Sequence, residues 1–152
     1  MSDIDHPDVN PDLPDWIRDH IQQYLDSGGT EGHLWNGVPT LLLTTLGRRS
    51  GRWQLLPLIY GQDGDRLVLV ASKGGHPSHP AWYLNLDAHP EVGVQVGAAR
   101  FAATARTARG DERARLWAVM RGIWPQYDDY QAATDREIPV VVLERSATER
   151  DA

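Results

Sequence analysis

No cysteine occurs among the 152 residues, which excludes disulfides, thiolate nucleophiles and cysteine-based zinc or iron–sulfur centres. It also fits a reducing cytoplasm. Lysine is nearly absent: Lys73 is the only one. Long apolar runs are missing as well, and stretches such as Leu41-Leu42-Leu43 and Val140-Val141-Val142-Leu143 are far too short to cross a bilayer as helices. The N-terminus is acidic and interrupted by Pro7, without the basic start and apolar stretch of a secretory signal. Positive charge is in deficit, with 15 Lys and Arg against 21 Asp and Glu and a net charge of -6, so nonspecific adhesion to nucleic acid or anionic membrane is disfavoured. Any anion must be captured by a local cluster.

The length suits one domain with its own core, and the sequence predicts a flexible arm over residues 1–11 followed by a single domain over 12–152. Asp12 reads as a helix cap and Pro14 as a first-turn residue. Ile17, Ile21, Tyr24 and Leu25 then recur at helical spacing until Gly28-Gly29. The polar face of this helix carries Asp15, Asp19 and Asp26 beside Arg18, whereas membrane-surface helices are usually basic, so core packing is the expected role.

Strand patterns follow over 40–46, 53–60, 67–71, 92–96, 100–107 and 138–143, joined mostly by hairpin signals. Asp63-Gly64 predicts a hairpin that extends the first two strands into a three-stranded meander. Helices are expected over 81–87, 111–124 and 127–134, and the charged tail from Glu144 is expected to fray. About six strands joined as hairpins, with interspersed helices, predict an α+β fold: a small, mostly antiparallel barrel with helices capping its openings.

Two basic loops stand out in this acidic chain. In the first, Arg48, Arg49 and Arg52 surround Ser50-Gly51, a density of guanidinium groups that can fork onto phosphate or carboxylate oxygens. In the second, Lys73 precedes Gly74-Gly75 between a strand and a helix, where exposed N–H groups suit an anion. Together they could grip one extended polyanion. Trp82 offers a plane for a flat heterocycle, with Tyr83 beside it, and the Asn85 amide can both donate and accept. Tyr127 and Tyr130, three apart, share a helical face and could wall a substrate pocket. An isolated Trp-Tyr pair such as Trp82-Tyr83 is more often core, and for Tyr127 and Tyr130 plain packing is an equal alternative. His76, His79 and His89 complete no familiar metal spacing, so no metal site is expected. Nor is there a G-x-S-x-G, a Walker loop or a dinucleotide G-x-G-x-x-G.

The series Leu42 to Gly51, Pro57-Leu58, Ala71 to Gly75, Pro80 to Leu86, Tyr127 to Gln131 and Thr134 to Val142 resembles the deazaflavin-dependent nitroreductase family in order, over about residues 35 to 145. The resemblance implies a split β-barrel of the FMN-binding type, the coenzyme F420 with its phosphate and oligoglutamate tail, and hydride transfer to a small organic acceptor: a quinone, an enone or a nitroaromatic. By the same resemblance, Arg48, Arg49, Ser50 and Gly51, with Gln54 and Pro57, would hold the tail and its linker. Ala71, Ser72, Lys73, Gly74 and Gly75, with Trp82, Tyr83 and Asn85, would position the ring. Ser72 would polarise the reacting group, Tyr127 or Tyr130 would supply a proton, and Ile59, Trp124, Tyr127 and Tyr130 would face the acceptor.

Gln54 stands where relatives often carry arginine, which shifts one expected tail contact toward Arg52. Ile59 and Trp124 stand where the nitroimidazole-reducing members carry tyrosines, which turns the expectation away from nitro reduction. Two other readings remain at this point: a related barrel using FMN, and a carrier that binds F420 without turnover. The pattern marks no oligomer interface.

Overall fold

Strand β2 (Val38–Leu46) organises the fold, pairing antiparallel with β3 (Trp53–Ile59) on one edge and with β6 (Glu91–Val96) on the other. A computed structural model describes residues 4–146. From β6 the sheet continues through β7 (Ala99–Thr107), β8 (Val140–Arg145), β5 (Arg66–Val70) and β4 (Gly61–Asp63), every pairing antiparallel. The sheet therefore starts at β3 and ends at β4, and those two strands are separated only by Tyr60. Its two ends meet at that residue and close the barrel expected from the sequence.

The closure corrects one expectation. β3 and β5 do not form a meander, because the chain leaves the β2 edge at Tyr60 and reappears at the opposite end of the sheet. Tyr60 donates its N–H to the Pro39 carbonyl at 3.2 Å, continuing the β2 contact, while the next residue turns away. Gly61 makes that corner possible: a methyl there would lie 2.5 Å from the Met120 sulfur and 3.0 Å from Ile123.

Two short strands bring the number to eight among the described residues: β4, and β1 (Leu34–Trp35), which pairs with the start of β2. The β1–β2 turn is Asn36-Gly37, with φ of 50° and 81°, the left-handed pair that a two-residue hairpin turn demands.

Both faces of β2, β5 and β8 are buried along most of their length, which explains their continuous apolar runs. Leu41, Leu43, Leu67, Leu69, Val141 and Leu143 point into the barrel, where Trp82, Tyr83 and Leu86 of helix α2 (Ala81–Ala88) plug one opening. The alternate residues Val68, Val70, Val140 and Val142 face outward onto Leu116 and Met120 of α3 (Gly110–Ile123) and Tyr127 of α4 (Gln126–Ala132). Each such Leu or Val contributes roughly 1.5–3 kcal/mol on burial. Because the pleat has period two, a one-residue slip would exchange the two cores.

Helix α1 (Asp15–Asp26) packs Ile21 and Tyr24 against Leu42 and Leu55, as its periodicity predicts. Asp12 does not cap it: the helix begins after Pro14, and the Asp12 N–H turns back to Asn10 Oδ1 at 2.9 Å. Within the arm, Asp8 forms a parallel bridge with Gln54, accepting from Leu55 N–H and donating to the Trp53 carbonyl. Glu144 and Arg145 belong to β8 rather than to a frayed tail, and Glu144 pairs with Arg66 and Arg106. The tail residues after Ser146 lie outside the described residues.

Candidate active site

A cleft of about 420 Å³ opens where α1, β1, β3, the Lys73 loop and the α3–α4 corner converge. Among its walls are Pro57 and Ile59 from β3, Ser72, Lys73 and Gly74 from the loop after β5, Trp82 from α2, and Trp124, Tyr127 and Tyr130 from the corner. These nine sequence-predicted residues are thus brought together. Its volume lies within the range of small-molecule sites.

One wall is aromatic throughout. Trp16 and Trp35 stack with centroids 6.3 Å apart and planes 18° from parallel, and Trp35 meets Trp124 at 5.4 Å. Trp124 Nε1 donates to the Tyr130 hydroxyl at 3.4 Å, and Tyr130 meets Tyr127 edge to face at 6.2 Å. The Tyr130 proton is thereby left to point elsewhere. Tyr127 is 4% exposed, and its burial, with the Tyr130 phenol beside it, pushes its pKa well above the ordinary phenol value. It stays a neutral hydrogen-bond donor at any working pH.

The Lys73 loop has a concave backbone. Ser72 is right-handed (φ −78°, ψ −38°) and Lys73 left-handed (φ 46°), the alternation that turns successive backbone N–H groups into a concave seat. A lysine in that conformation costs about 1 kcal/mol, so the surroundings must hold it there. One contact is at Gly75, where a methyl would lie 2.7 Å from the Tyr130 carbonyl oxygen. The loop can lie against α4 only because that residue is glycine. The Ser72 hydroxyl, 9% exposed by residue, has no hydrogen-bond partner among the described residues, and Lys73 has no acidic partner there.

The arginine turn lies outside this cleft. Gly47 N–H donates to the Arg52 carbonyl at 2.8 Å, and the Arg52 N–H donates to Ser50 Oγ at 3.2 Å, so Ser50 helps shape the turn. Arg48 and Arg49 are exposed and have no acidic partner among the described residues. Arg52 differs: its Nε donates to Asp8 Oδ2 at 2.7 Å, so the guanidinium expected to serve the tail in place of residue 54 is already engaged within the protein. Asn85 joins the turn to α2, its Oδ1 accepting from Arg48 N–H at 3.1 Å and its Nδ2 donating to Thr45 Oγ1 at 3.2 Å. Both ends of that amide are thus used inside the protein. Tyr83 is likewise inward, its hydroxyl 2.8 Å from Thr107 Oγ1. Among the described residues no group of three or more His, Asp or Glu could hold a metal, and no helix is long and apolar enough to cross a membrane.

Sequence reasoning missed Trp35, His20 and Trp16 as cleft residues. The Asn36-Gly37 turn signal could have placed Trp35. Trp16 is off the buried face of α1, and its 58% exposure follows from that position.

A family model described as F420H(2)-dependent quinone reductase matches residues 16–145. An F420H(2)-dependent quinone reductase of Mycobacterium tuberculosis is 41% identical over 133 residues, covering 85% of this chain and 89% of its own length. A solved F420-H2 dependent reductase superposes with a TM-score of 0.65 at 42% identity, covering 70% of this chain and 94% of that one. Another solved structure, described as a domain-swapped dimer, gives a TM-score of 0.68 at 38% identity, with 86% and 98% covered.

Proposed function

The chain belongs to the F420H(2)-dependent quinone reductase family, and on that basis we propose that it reduces a quinone to a quinol with the coenzyme F420. The observation that carries the reading is the join of an aromatic cleft to two separate cationic positions without acidic partners among the described residues, Lys73 at the cleft and Arg48 with Arg49 beyond it. A long coenzyme with an anionic tail uses both clusters. FMN, with one phosphate close to its ring, would use one. The concave Ser72–Lys73 backbone and open space beside Gly74, where an added methyl would touch nothing within 4 Å, fit close approach of such a ligand.

When bound in reduced form, F420 supplies the hydride, and that hydride plus one proton converts the quinone to the quinol. Arg48 and Arg49 would hold the phosphate and glutamates of the tail through charge-assisted hydrogen bonds. Trp82, Ser72 and Lys73, which line the cleft, would hold and orient the ring. The Ser72 hydroxyl, without a hydrogen-bond partner among the described residues, would donate to a carbonyl in the cleft. Trp124, Tyr127 and Tyr130 face the quinone and keep water away, which orients the reactants and strengthens each polar contact between them. Tyr130 hands on the proton, while Tyr127 remains a neutral donor.

We assign the reaction to the cytoplasm, a compartment that suits a chain without cysteine. The test is titration of the purified protein with F420 and with FMN, followed by oxidation of the reduced coenzyme with quinones, enones and nitroaromatics. Tighter binding of F420 and fastest turnover with quinones are expected.

A further inference from the structure

One side chain collects the backbone of the Lys73 loop. Arg136, between α4 and β8, donates from Nε to the His76 carbonyl at 2.7 Å and from Nη2 to the Ser72 carbonyl at 2.7 Å. Its Nη1 donates to the Ala71 carbonyl at 3.2 Å and to His79 Nδ1 at 2.9 Å. The loop is thus gripped on both sides of Lys73. Only a planar fork with several N–H groups reaches acceptors spread this way, and a lysine ammonium at the end of its stem could not.

Arg136 is fixed in turn. Gln131 of α4 donates from Nε2 to the Arg136 carbonyl at 2.8 Å and accepts the Ile138 N–H on Oε1 at 2.9 Å, while Thr134 Oγ1 accepts the Arg136 N–H at 3.3 Å. With Gly75 seated on the Tyr130 backbone, the loop, α4 and the segment leading to β8 form one block. That block carries Ser72 and Lys73 at one end and Tyr127 and Tyr130 at the other.

Resting on the quinone-reductase reading above, we propose that Arg136 is a positioning residue: it sets Ser72 and Lys73 in register with the α4 tyrosines, so that coenzyme and acceptor share one rigid frame. It touches neither reactant. Its grip on the carbonyls flanking Lys73 holds that lysine in its left-handed conformation and keeps the Gly75 and His76 amides, bonded to the Ser72 and Lys73 carbonyls, in place. The guanidinium also adds positive charge beneath the concave backbone.

The test compares wild type with Arg136→Lys, which keeps the charge and loses the fork, and with His79→Ala, which removes one acceptor. Amide hydrogen exchange at Gly75 and His76 is read beside that of Val68 and Val142 in the sheet, together with F420 affinity. Arg136→Lys should speed exchange at the two loop amides and weaken F420 binding by about tenfold each, with the sheet amides unchanged. His79→Ala should do the same to a smaller extent, and it decides the matter if Arg136→Lys does not fold. Unchanged loop exchange and affinity, or equal acceleration of loop and sheet, would overturn the proposal. A wild type that binds no F420 refutes the quinone-reductase reading instead, and leaves the exchange comparison to judge Arg136.

Discussion

The side-chain oxygen of Asn85 accepts a hydrogen bond from the Arg48 amide at 3.1 Å, joining the arginine turn to the helix that lines the cleft. Trp82, three residues earlier on α2, lies in that cleft. One short helix therefore fixes the distance between the proposed ring site and the proposed tail site. Asn85→Leu leaves the Arg48 amide and the Thr45 hydroxyl without this partner, at about 1–3 kcal/mol. Weaker F420 binding and a lower Tm are expected, read by titration and by thermal denaturation.

Replacing Arg48 and Arg49 together by Ala should weaken F420 binding by about 1–3 kcal/mol, a figure held down by their exposure to solvent. Added salt should weaken the wild type more than the double variant, because screening acts on charges that the variant lacks. The fold should be unaffected, since neither side chain has an acidic partner among the described residues.

Low pH should loosen the Lys73 loop through His79. Burial lowers the His79 pKa below its ordinary 6.5, the nearby Arg136 cation lowers it further, and Asp87 opposes them. Its Nδ1 accepts from Arg136, so the neutral form with the proton on Nε2 is the one that fits, beside the Tyr83 ring at 5.0 Å. A depressed native pKa means that the stability is fully present above pH 6.5 and is lost as pH falls through the lower native value. Thermal denaturation across that acidic window should show a steeper fall for wild type than for His79→Gln.

Tyr130→Phe should lower kcat by about 10²-fold, the scale expected when a proton donor is removed, with F420 affinity little changed. Tyr127→Phe should cost less. Because burial raises the Tyr127 pKa, the kcat profile should show no alkaline limb arising from that residue. Steady-state kinetics of both variants against pH separate the two roles.

The six longer strands are legible in the sequence from their apolar or alternating runs between turn signals, and α1 and α3 from their periodic apolar stripes, whereas the short β1 and β4 are not. Barrel closure at Tyr60 is not, because the corner depends on Gly61 meeting Met120 and Ile123, residues far away along the chain. The cleft residues from Ser72 to Gly74 and from Trp124 to Tyr130 can be read from their motifs, whereas Trp35 requires the Asn36-Gly37 turn to be recognised. Arg136 gives no usable signal of its role: its acceptors are mostly backbone carbonyls, which carry no sequence signature. Arg52 looks free in sequence and is engaged by Asp8, a residue 44 positions earlier.

The most direct measurement of the central claim is equilibrium titration of the wild-type protein with F420 and with FMN, followed by anaerobic mixing of reduced F420 with a quinone. The predicted result is tighter binding of F420, disappearance of that preference in the Arg48→Ala, Arg49→Ala double variant, and oxidation of the coenzyme as quinol forms. Tighter binding of FMN, or tightly bound reduced F420 that no quinone oxidises, would contradict it.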